Sequence, residues 1–468
     1  MRQQGFQMSE YFARLYAHIT LHALLLGLIV FILAACGRNE VRLIPPTATP
    51  PVPTAPIPTA LPNPTPTPGY LALVKAEGLV PVGHLIFSTV DEHRSDDRVE
   101  LWARSAGRDD VQLLLEGTRD NLWECTIRGA SFCAIGDPSG QVYTLRPPGA
   151  LIPLLPAGEG LQRVFLSPAG EYVGVVSGGI MALLDMNNPA EVVNVPDVPA
   201  VGDVAWSDVL TDTDGVRLAF VILGEQNQSL YIMRLGSELV PPTLLAQEDA
   251  VESPVWAGAQ RRLAFIVRGL DHPRGGTMRR DVFIANLETD EYINVTELFG
   301  QSVEGPAPYP FGGAGPAWSP DGDTLDFVWV RADESPHRGS LFRYVLGGEP
   351  DLLMPVLYAE GQGWSGPAWS PDGRLEAAVA PIEARGGQGE LWVRPAGREA
   401  WTTLSLPDQS VQRFVWSPDG TYLAYEVPGN GIWVVPAAGG EPQRVVAVGK
   451  PYQVRRLRWL SGGDEITR

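Results

Sequence analysis

Two closely spaced cysteines are the residues of this sequence that point most directly to covalent chemistry. Cys125 and Cys133 lie in a stretch that reads as two short strands joined by a hairpin, Trp123-Glu124-Cys125 and then Phe132-Cys133. Cysteines that face each other across a hairpin of an exported protein form a disulfide readily, and closing so small a loop contributes about 2–3 kcal/mol. We predict that the two are bonded; two buried free thiols are the alternative.

No catalytic motif is evident. Gly363-Trp364-Ser365-Gly366 lacks the spacing of a nucleophile elbow, and no phosphate-binding loop, His-Glu-x-x-His segment or Cys-x-x-Cys pair occurs. Asp212-Thr213-Asp214-Gly215 has the form of half a calcium loop, but the closing glutamate is missing, so we interpret it as a solvated turn. The C-terminal four-fifths of the chain contain four histidines, which are His84, His93, His272 and His337. We therefore predict no metal centre and no cofactor.

The overall charge restricts the class of partner. The 468 residues carry a formal net charge of −19, and no basic stretch offsets it. Nucleic acids and anionic lipid head groups attract positively charged protein surfaces. We therefore expect no nucleic-acid partner.

The N-terminal region has the pattern of an export signal. Arg2 and Arg14 precede an apolar run from Ile19 to Ala35, which ends in small residues before Cys36. A basic start, an apolar centre and a small-residue exit are typical of a secretory signal. A retained transmembrane helix is the alternative, because the run is almost long enough to span a bilayer.

The ending Leu33-Ala34-Ala35-Cys36 resembles the lipobox of bacterial lipoproteins. The resemblance implies a signal peptide over residues 1–35 and a lipid on Cys36, with residues 36–43 as the lipidated N-terminus. Two or more acyl chains anchor a protein stably. We therefore predict attachment to the cell membrane on the side that faces away from the cytoplasm.

A proline- and threonine-rich segment follows over residues 44–69. Proline at every second or third position removes backbone donors and excludes both helix and sheet. Such a chain is extended, at roughly 3.1 Å per residue, so this segment predicts a tether on the order of 75 Å. A proline-recognition ligand or a glycosylated stalk is the alternative.

The rest of the chain is organised by a repeated turn. Trp-Ser-Pro-Asp-Gly occurs at Trp318–Gly322, Trp369–Gly373 and Trp416–Gly420, and a short apolar strand follows each copy. Proline presets φ for a tight turn, and glycine takes the position that needs a positive φ. Each copy therefore predicts strand, turn and strand. A repeat at this spacing indicates an array of β-sheet blades.

Eight such units can be aligned from about residue 83 to the C-terminus. Unit one lacks an inner strand before His84, whereas the segment Arg455–Asp464 has an inner strand and a turn without a second half. The C-terminal strand would therefore complete the first blade and close the ring. We predict an all-β fold, a single β-propeller of eight four-stranded antiparallel blades over 83–468. Seven blades are the alternative, because units two and three are degenerate.

The Trp-Ser-Pro-Asp-Gly copies, with following strands such as Leu423-Ala424-Tyr425, resemble the WD40-like repeat of TolB-type propellers. The resemblance covers roughly residues 83–468 and implies the fold. Such blades serve in binding proteins and also beside peptidase domains, and no hydrolase domain follows the repeats in this sequence. The recurring tryptophans occupy one position of the repeat and are therefore predicted to pack in the core; they are Trp206, Trp256, Trp318, Trp369, Trp416 and Trp459.

The longest loops are predicted to project from one face of the ring. In a four-stranded blade the first and third turns lie on one face, and the second loop and the connection to the next blade lie on the other. The short Pro-Asp-Gly turns trim the first face, which we call the turn face. Long segments of blades five to seven gather on the other, the long-loop face, where function concentrates in many folds. Its predicted binding residues are Tyr309, Phe311, Trp364, Tyr358, Arg279, Arg280, Arg338 and His337.

Aromatic and arginine side chains suit a contact with protein or glycan, although insertions are also tolerated without function. We therefore predict a monomeric, non-enzymatic module that binds a protein, peptide or glycan. The alternative is a hydrolase or lyase acting on a sugar or lactone at the central channel. An enzyme needs at least two titratable groups near one substrate. The inner-strand starts Gly315-Pro316-Ala317 and Gly366-Pro367-Ala368 carry none, which favours binding.

Overall fold

A computed structural model gives the fold of the chain. The structure describes residues 73–462, with gaps at 95, 127–131, 147–150, 157–159, 189–191, 208–214, 237–239, 249, 259–260, 270–278, 301–315, 332–337, 349, 358–366, 383–387 and 399.

The described residues form eight antiparallel sheets, each of which is one propeller blade. The predictions of an all-β fold and of eight four-stranded blades are confirmed, and the seven-blade alternative is wrong. Degenerate units two and three are complete blades, because strand pairing depends on the backbone and on alternating burial rather than on the Trp-Ser-Pro-Asp-Gly turn.

Blade one consists, from the channel outward, of β33 (Tyr452–Leu460), β2 (His84–Asp91), β3 (Arg98–Ser105) and β4 (Val111–Arg119), and blade two of β5 (Trp123–Cys125), β6 (Cys133–Gly136), β7 (Gln141–Leu145) and β8 (Leu151–Pro156). In the same order, blade three consists of β9 (Leu161–Leu166), β10 (Tyr172–Ser177), β11 (Ile180–Asp185) and β12 (Val192–Val195), and blade four of β13 (Val201–Trp206), β14 (Val216–Leu223), β15 (Gln228–Leu235) and β16 (Val240–Glu248). Blade five consists, from the channel outward, of β17 (Ala250–Trp256), β18 (Arg262–Gly269), β19 (Arg279–Asn286) and β20 (Glu291–Asn294), and blade six of β21 (Ala317–Trp318), β22 (Thr324–Arg331), β23 (Arg338–Val345) and β24 (Pro350–Leu357). In the same order, blade seven consists of β25 (Ala368–Trp369), β26 (Leu375–Ile382), β27 (Gln388–Pro395) and β28 (Thr402–Thr403), and blade eight of β29 (Arg413–Trp416), β30 (Tyr422–Val427), β31 (Gly431–Pro436) and β32 (Gln443–Val448).

Helical structure is minor in the described chain: a 3₁₀ turn spans Asp120–Leu122, and a short helix, α1, spans Val295–Gly300. No helix in the described ranges is long and apolar enough to cross a membrane.

The repeated turn has the predicted geometry. Gly322, Gly373 and Gly420 have φ values of 73°, 71° and 71°, in the region that side chains disfavour. In the last copy the amide of Gly420 donates to the carbonyl of Ser417 at 2.9 Å, and the Ser417 hydroxyl donates to the Asp419 carboxylate at 2.6 Å. Serine and aspartate therefore fix the turn that joins the two innermost strands.

Both chain ends of the described ring close it. β33 pairs with β2 as the inner strand of blade one, as predicted. β1 (Val74–Ala76), a strand that lies before the predicted start at residue 83, pairs with β32 at the outer edge of blade eight. At the junction Gly83 has φ 68°, and a Cβ there would lie 2.0 Å from the Leu460 carbonyl oxygen. Glycine is therefore required where the C-terminal strand docks.

The core lies between the blades. Each hydrophobic cluster among the described side chains joins neighbouring blades; in one of them Phe165 and Val176 of blade three pack with Leu218 and Phe220 of blade four. Such burial, at about 25 cal/mol per Å² of apolar surface, makes each blade depend on the next.

Candidate functional site

A cavity of about 560 Å³ lies along the inner strands and opens among the turns of the turn face. We call it the channel cavity. Its volume falls in the range of about 300–1,000 Å³ that is usual for ligand sites. Its walls are tryptophan, proline and small apolar residues with one charged side chain, Arg458; the main lining residues are Trp206, Trp256, Trp318, Trp369, Trp416, Trp459, Val255, Pro316, Ala317, Pro367, Ala368, Phe414 and Arg458.

The recurring tryptophans have two roles. The indole N–H groups of Trp256, Trp318 and Trp416 each donate at 3.1 Å to a backbone carbonyl of the preceding blade. They therefore tie neighbouring blades together, in keeping with the predicted packing role. The same six tryptophans also line the channel cavity. Each inner strand borders the channel, so a tryptophan there can both contact the preceding blade and line the cavity.

The hydroxyl groups of the cavity wall are used by the fold itself. Ser370 donates to Asp372 at 2.6 Å and accepts from the Leu375 amide at 3.0 Å. Ser319 is held by the corresponding strand in the same way, accepting from the Thr324 amide at 3.0 Å. Thr126 accepts from the Phe132 amide at 3.1 Å. These groups are poorly placed to serve a ligand that needs many hydrogen bonds.

One carboxylate holds two arginines beside the cavity. Glu124 of β5 accepts from Nε of Arg458 at 2.8 Å and from Nη2 of Arg456 at 2.7 Å. Both arginines belong to β33, so the group joins blades one and two. The Arg456 guanidinium also lies 4.5 Å from the ring centroid of Trp123, at the distance of a cation–π contact. We call Glu124, Arg456 and Arg458 the Arg–Glu clasp.

The clasp fixes the charge of Glu124. Burial would raise the pKa of this carboxyl, but Arg458 and Arg456 outweigh it and hold the pKa at about 2. Glu124 is thus ionised at all ordinary pH values and keeps the Arg458 guanidinium in one position. Of the clasp, only Arg458 lines the cavity.

The inner strands of blades six and seven carry no titratable side chain among the described residues, whereas the inner strands of the other blades do. Those charged residues include Arg413, Arg456, Arg458, Glu124, Arg163, Asp203 and Glu252. The missed signal is the alternation in Arg455-Arg456-Leu457-Arg458, which places two arginines on one face of a strand. The acidic partner could not be inferred, because it belongs to another blade.

A second charged group is buried between blades six and seven. Arg343 of β23 donates to both oxygens of Asp326 at 2.8 Å and to Oε2 of Glu376 at 2.8 Å. Arg394 of β27 donates to the same Glu376 oxygen at 2.8 Å. Asp326 and Glu376 are 0% exposed. Asp326, Arg343, Glu376 and Arg394 thus form one network of ion pairs. The Arg343 guanidinium lies 5.2 Å from the ring centroid of Trp369, a wall of the cavity.

Glu376 occupies a repeat position that is leucine in several other blades. It pairs with Trp369 across the two inner strands, as Leu325 pairs with Trp318 and Leu423 with Trp416. Burial and the neighbouring Asp326 raise the pKa of Glu376 to about 7, against the opposing effect of the two arginines. This carboxylate is too deeply buried to meet a ligand and serves the contact between blades.

Cys125 and Cys133 form a disulfide in the structure. They face each other across β5 and β6, at the position where other blades pair tryptophan with an aliphatic residue. The covalent bond therefore takes the place of the tryptophan packing that blade two lacks.

Most of the predicted binding residues lie outside the described part of the chain. The predicted binding residues outside it are Tyr309, Phe311, Tyr358, Trp364 and His337. Cys36, the tether and Asp212–Asp214 also lie outside the described part. The backbones of Arg279 and Arg280 lie on β19 and that of Arg338 on β23; these strands belong to adjacent blades five and six. Among the described residues no group of three or more histidine, cysteine or acidic side chains could hold a metal ion.

Comparison with known proteins identifies the fold. No protein-family model matches the chain, and no curated protein matches its sequence. Among solved structures it is similar to dihydro-heme d1 dehydrogenase NirN in complex with DHE, with a TM-score of 0.50 and 14% identity over 83% of this chain and 80% of that one. Others are oligogalacturonate lyase from Vibrio parahaemolyticus (TM-score 0.46, 14% identity, 78% and 100% covered) and TolB from Acinetobacter baumannii (0.32, 15%, 61% and 69%). At such identities the likeness shows a β-propeller fold alone.

Proposed function

We propose that this chain is a non-enzymatic binding propeller that captures an extended peptide segment of a partner protein in the channel cavity. The observation that carries the proposal is the composition of the cavity wall, in which six tryptophans, five prolines of the inner strands and turns, and small apolar residues surround one arginine. Aromatic and arginine side chains dominate the energetics of protein contacts.

A peptide fits this wall better than a glycan. A sugar presents many hydroxyl groups and needs many partners, whereas the wall hydroxyls of Ser319, Ser370 and Thr126 already bond the turns. Four of the indole N–H groups donate to backbone carbonyls. The indole N–H groups of Trp206 and Trp369 are buried and have no hydrogen-bond partner among the described residues, so Arg458 is the one charged group that this wall offers to a ligand.

The alternative of a hydrolase or lyase is less well supported. General acid–base catalysis needs a group that gives a proton and one that accepts it near the same substrate. Arg458 is the one titratable side chain among the described residues that line the cavity, and arginine stays protonated in proteins. The long-loop face stays a second predicted binding surface, at the opposite end of the ring.

We also propose that the propeller is exported and lipid-anchored through Cys36, with residues 44–69 as a tether. The support is the sequence pattern alone. Cys36→Ser would move the protein from the membrane fraction to the soluble one and abolish incorporation of labelled fatty acid. Membrane retention of the variant without label would instead indicate that residues 19–35 stay as a transmembrane helix.

Selection from a random-peptide phage library on the immobilised full chain tests the binding function. Two half-buried tryptophans of blade eight make a matched pair, because Trp416 lines the cavity and Trp433 does not. Trp416→Ala should lose the selected peptides, and Trp433→Ala should keep them. Equal retention by both folded variants, or no selection by the wild type, would overturn the proposal.

A further inference from the structure

One charged side chain among the described residues, Arg458, lines the cavity, and the geometry of its donors indicates the chemistry of the ligand. A guanidinium carries five N–H donors. In Arg458, Nε donates to Glu124 Oε1 at 2.8 Å, Nη2 to Glu124 Oε2 at 3.4 Å, and Nη1 to the Leu457 carbonyl at 3.1 Å. Two donors remain, one on each terminal nitrogen, without an acceptor in the described part of the chain.

The two remaining donors belong to the two terminal nitrogens, which together can present a fork. Glu124 occupies the side of the guanidinium that includes Nε, which leaves a hydrogen on each terminal nitrogen for another group. A pair of parallel N–H donors matches the two oxygens of a carboxylate. The Arg458 side chain is 34% exposed, and it lines the cavity, so this fork is accessible to a ligand.

The clasp makes the fork both rigid and positively charged. One Glu124 carboxylate is shared by Arg456 and Arg458, so the three side chains of the clasp carry one net positive charge. A further acid, Asp120, accepts from Ser88 through its carboxylate at 2.6 Å and from Arg456 through its backbone carbonyl, so its carboxylate forms no hydrogen bond with the clasp. A group that is pre-organised in this way loses little entropy when a ligand binds.

The surrounding wall excludes ligands that are charged throughout. Pro316, Ala317, Pro367 and Ala368 lie at the inner strands of blades six and seven, away from the clasp, and tryptophans separate them. Burying an unpaired charge against such a wall is costly. The ligand must therefore combine an apolar body with one anionic group at a fixed position.

We infer that Arg458 is the specificity-determining residue of the channel cavity and that the captured segment is an apolar peptide with one carboxylate, which docks end-on against the Arg458 fork. This inference rests on the proposed peptide-binding function. The carboxylate has two sources in a peptide, a chain terminus and an Asp or Glu side chain, and both present the same pair of oxygens.

Tryptophan fluorescence titration of the full chain tests the inference. The probes are N-acetylated pentapeptide pools with random apolar residues, in three forms: a central Glu with a C-terminal amide, a central Gln with a C-terminal amide, and neutral residues with a free C-terminal carboxylate. Trigalacturonate serves as an acidic glycan probe. The variants are Arg458→Gln, Arg458→Lys and, as an equal charge change on the exposed turn face, Arg374→Gln, whose side chain is 84% exposed.

The inference predicts that a carboxylate form binds the wild type about 10- to 100-fold more tightly than the Gln amide, the range expected for a charge-assisted hydrogen bond. Arg458→Gln should abolish that preference. Arg458→Lys should reduce it, because lysine keeps the charge but not the fork. Arg374→Gln should leave it unchanged. The preferred carboxylate form then identifies the source.

Different failures have different meanings. Equal binding of the Gln amide and the carboxylate forms would overturn the role of Arg458 and leave the peptide-binding function standing. A carboxylate preference that survives in a folded Arg458→Gln variant would overturn it as well. Binding of trigalacturonate but of no peptide pool, or of no probe at all, would overturn the proposed function itself.

Discussion

Nη2 of Arg343 lies 2.8 Å from Oε2 of Glu376, so a single guanidinium connects a carboxylate of blade six with one of blade seven. This contact is a buried network of ion pairs, so it should respond to substitution and pH differently from the apolar packing between blades. A buried ion pair adds little net stability, but removing one partner leaves an uncompensated charge.

Replacement of Arg343 by Met should lower the free energy of unfolding by about 3–5 kcal/mol, because Asp326 and Glu376 would remain buried without their shared cation. Chemical denaturation at neutral pH measures the change. Arg374→Met is the control, since that arginine is 84% exposed and surface ion pairs contribute about 0–1 kcal/mol. Adding Asp326→Asn to Arg343→Met should restore part of the loss, because Arg394 still pairs with Glu376; no recovery would show that Arg343 acts through packing.

Glu426 should make the protein less stable as the pH rises from about 4.5 to 7. Burial raises the pKa of this carboxyl to about 7, although Arg413 and Arg455 oppose the shift. Between its unfolded and folded pKa values the native state binds the additional proton, so the free energy of unfolding falls with rising pH. In Glu426→Gln, the fall in the free energy of unfolding over this pH range should be smaller by roughly 2–3 kcal/mol. An unchanged slope in the variant would contradict the assignment.

Glu124 should have the opposite effect at acid pH. Its pKa of about 2 lies below the ordinary value of 4.5, so the unfolded state binds the proton first as the pH falls. The stability contributed by the clasp is therefore present above pH 4.5 and lost towards pH 2. Denaturation of the wild type and of Glu124→Gln across this range tests it: the wild type should lose roughly 2–3 kcal/mol more than the variant. Equal losses of unfolding free energy in the wild type and in Glu124→Gln would contradict the stabilising role of Glu124.

The Cys125–Cys133 disulfide closes a short loop, with a sequence separation of 8. Replacing both cysteines by serine should lower the free energy of unfolding by about 2–3 kcal/mol through the greater freedom of the unfolded chain. The effect of reductant on the wild type should be of the same size, and the double variant should be insensitive to reductant. Free thiols in the native, unreduced protein would contradict the bond directly.

The fold could be predicted from particular residues. The three Trp-Ser-Pro-Asp-Gly turns impose a local geometry through glycine φ values of 71–73°, and turns of this kind act within a few residues. Ring closure was also predictable, because the unpaired strand around Trp459 needed a partner and His84 lacked one. β1 escaped prediction, since three residues beside a proline-rich segment carry too little pattern to indicate a strand.

The chemistry of the channel could be predicted only in part. Pro316 and Pro367 identify apolar walls from the repeat alone, but Arg458 acquires its role from Glu124, more than 300 residues away in the chain. Glu376 replaces a leucine of the repeat, and its partner Arg343 lies on a different blade. Contacts between blades depend on the closed ring, and local sequence patterns do not contain them.

The channel cavity opens on the turn face, whereas the long-loop face is predicted at the other end of the ring, so one comparison separates these two candidate sites. Ala368→Phe would fill the cavity from its wall, whereas the triple variant Tyr309→Ala, Phe311→Ala and Trp364→Ala removes the aromatic residues predicted for the other face. The measurement is the dissociation constant of the library-selected peptide for each full-length variant. The account predicts at least about tenfold weaker binding for Ala368→Phe and wild-type binding for the triple variant. Unchanged binding by a folded Ala368→Phe, with loss in the triple variant, would contradict it.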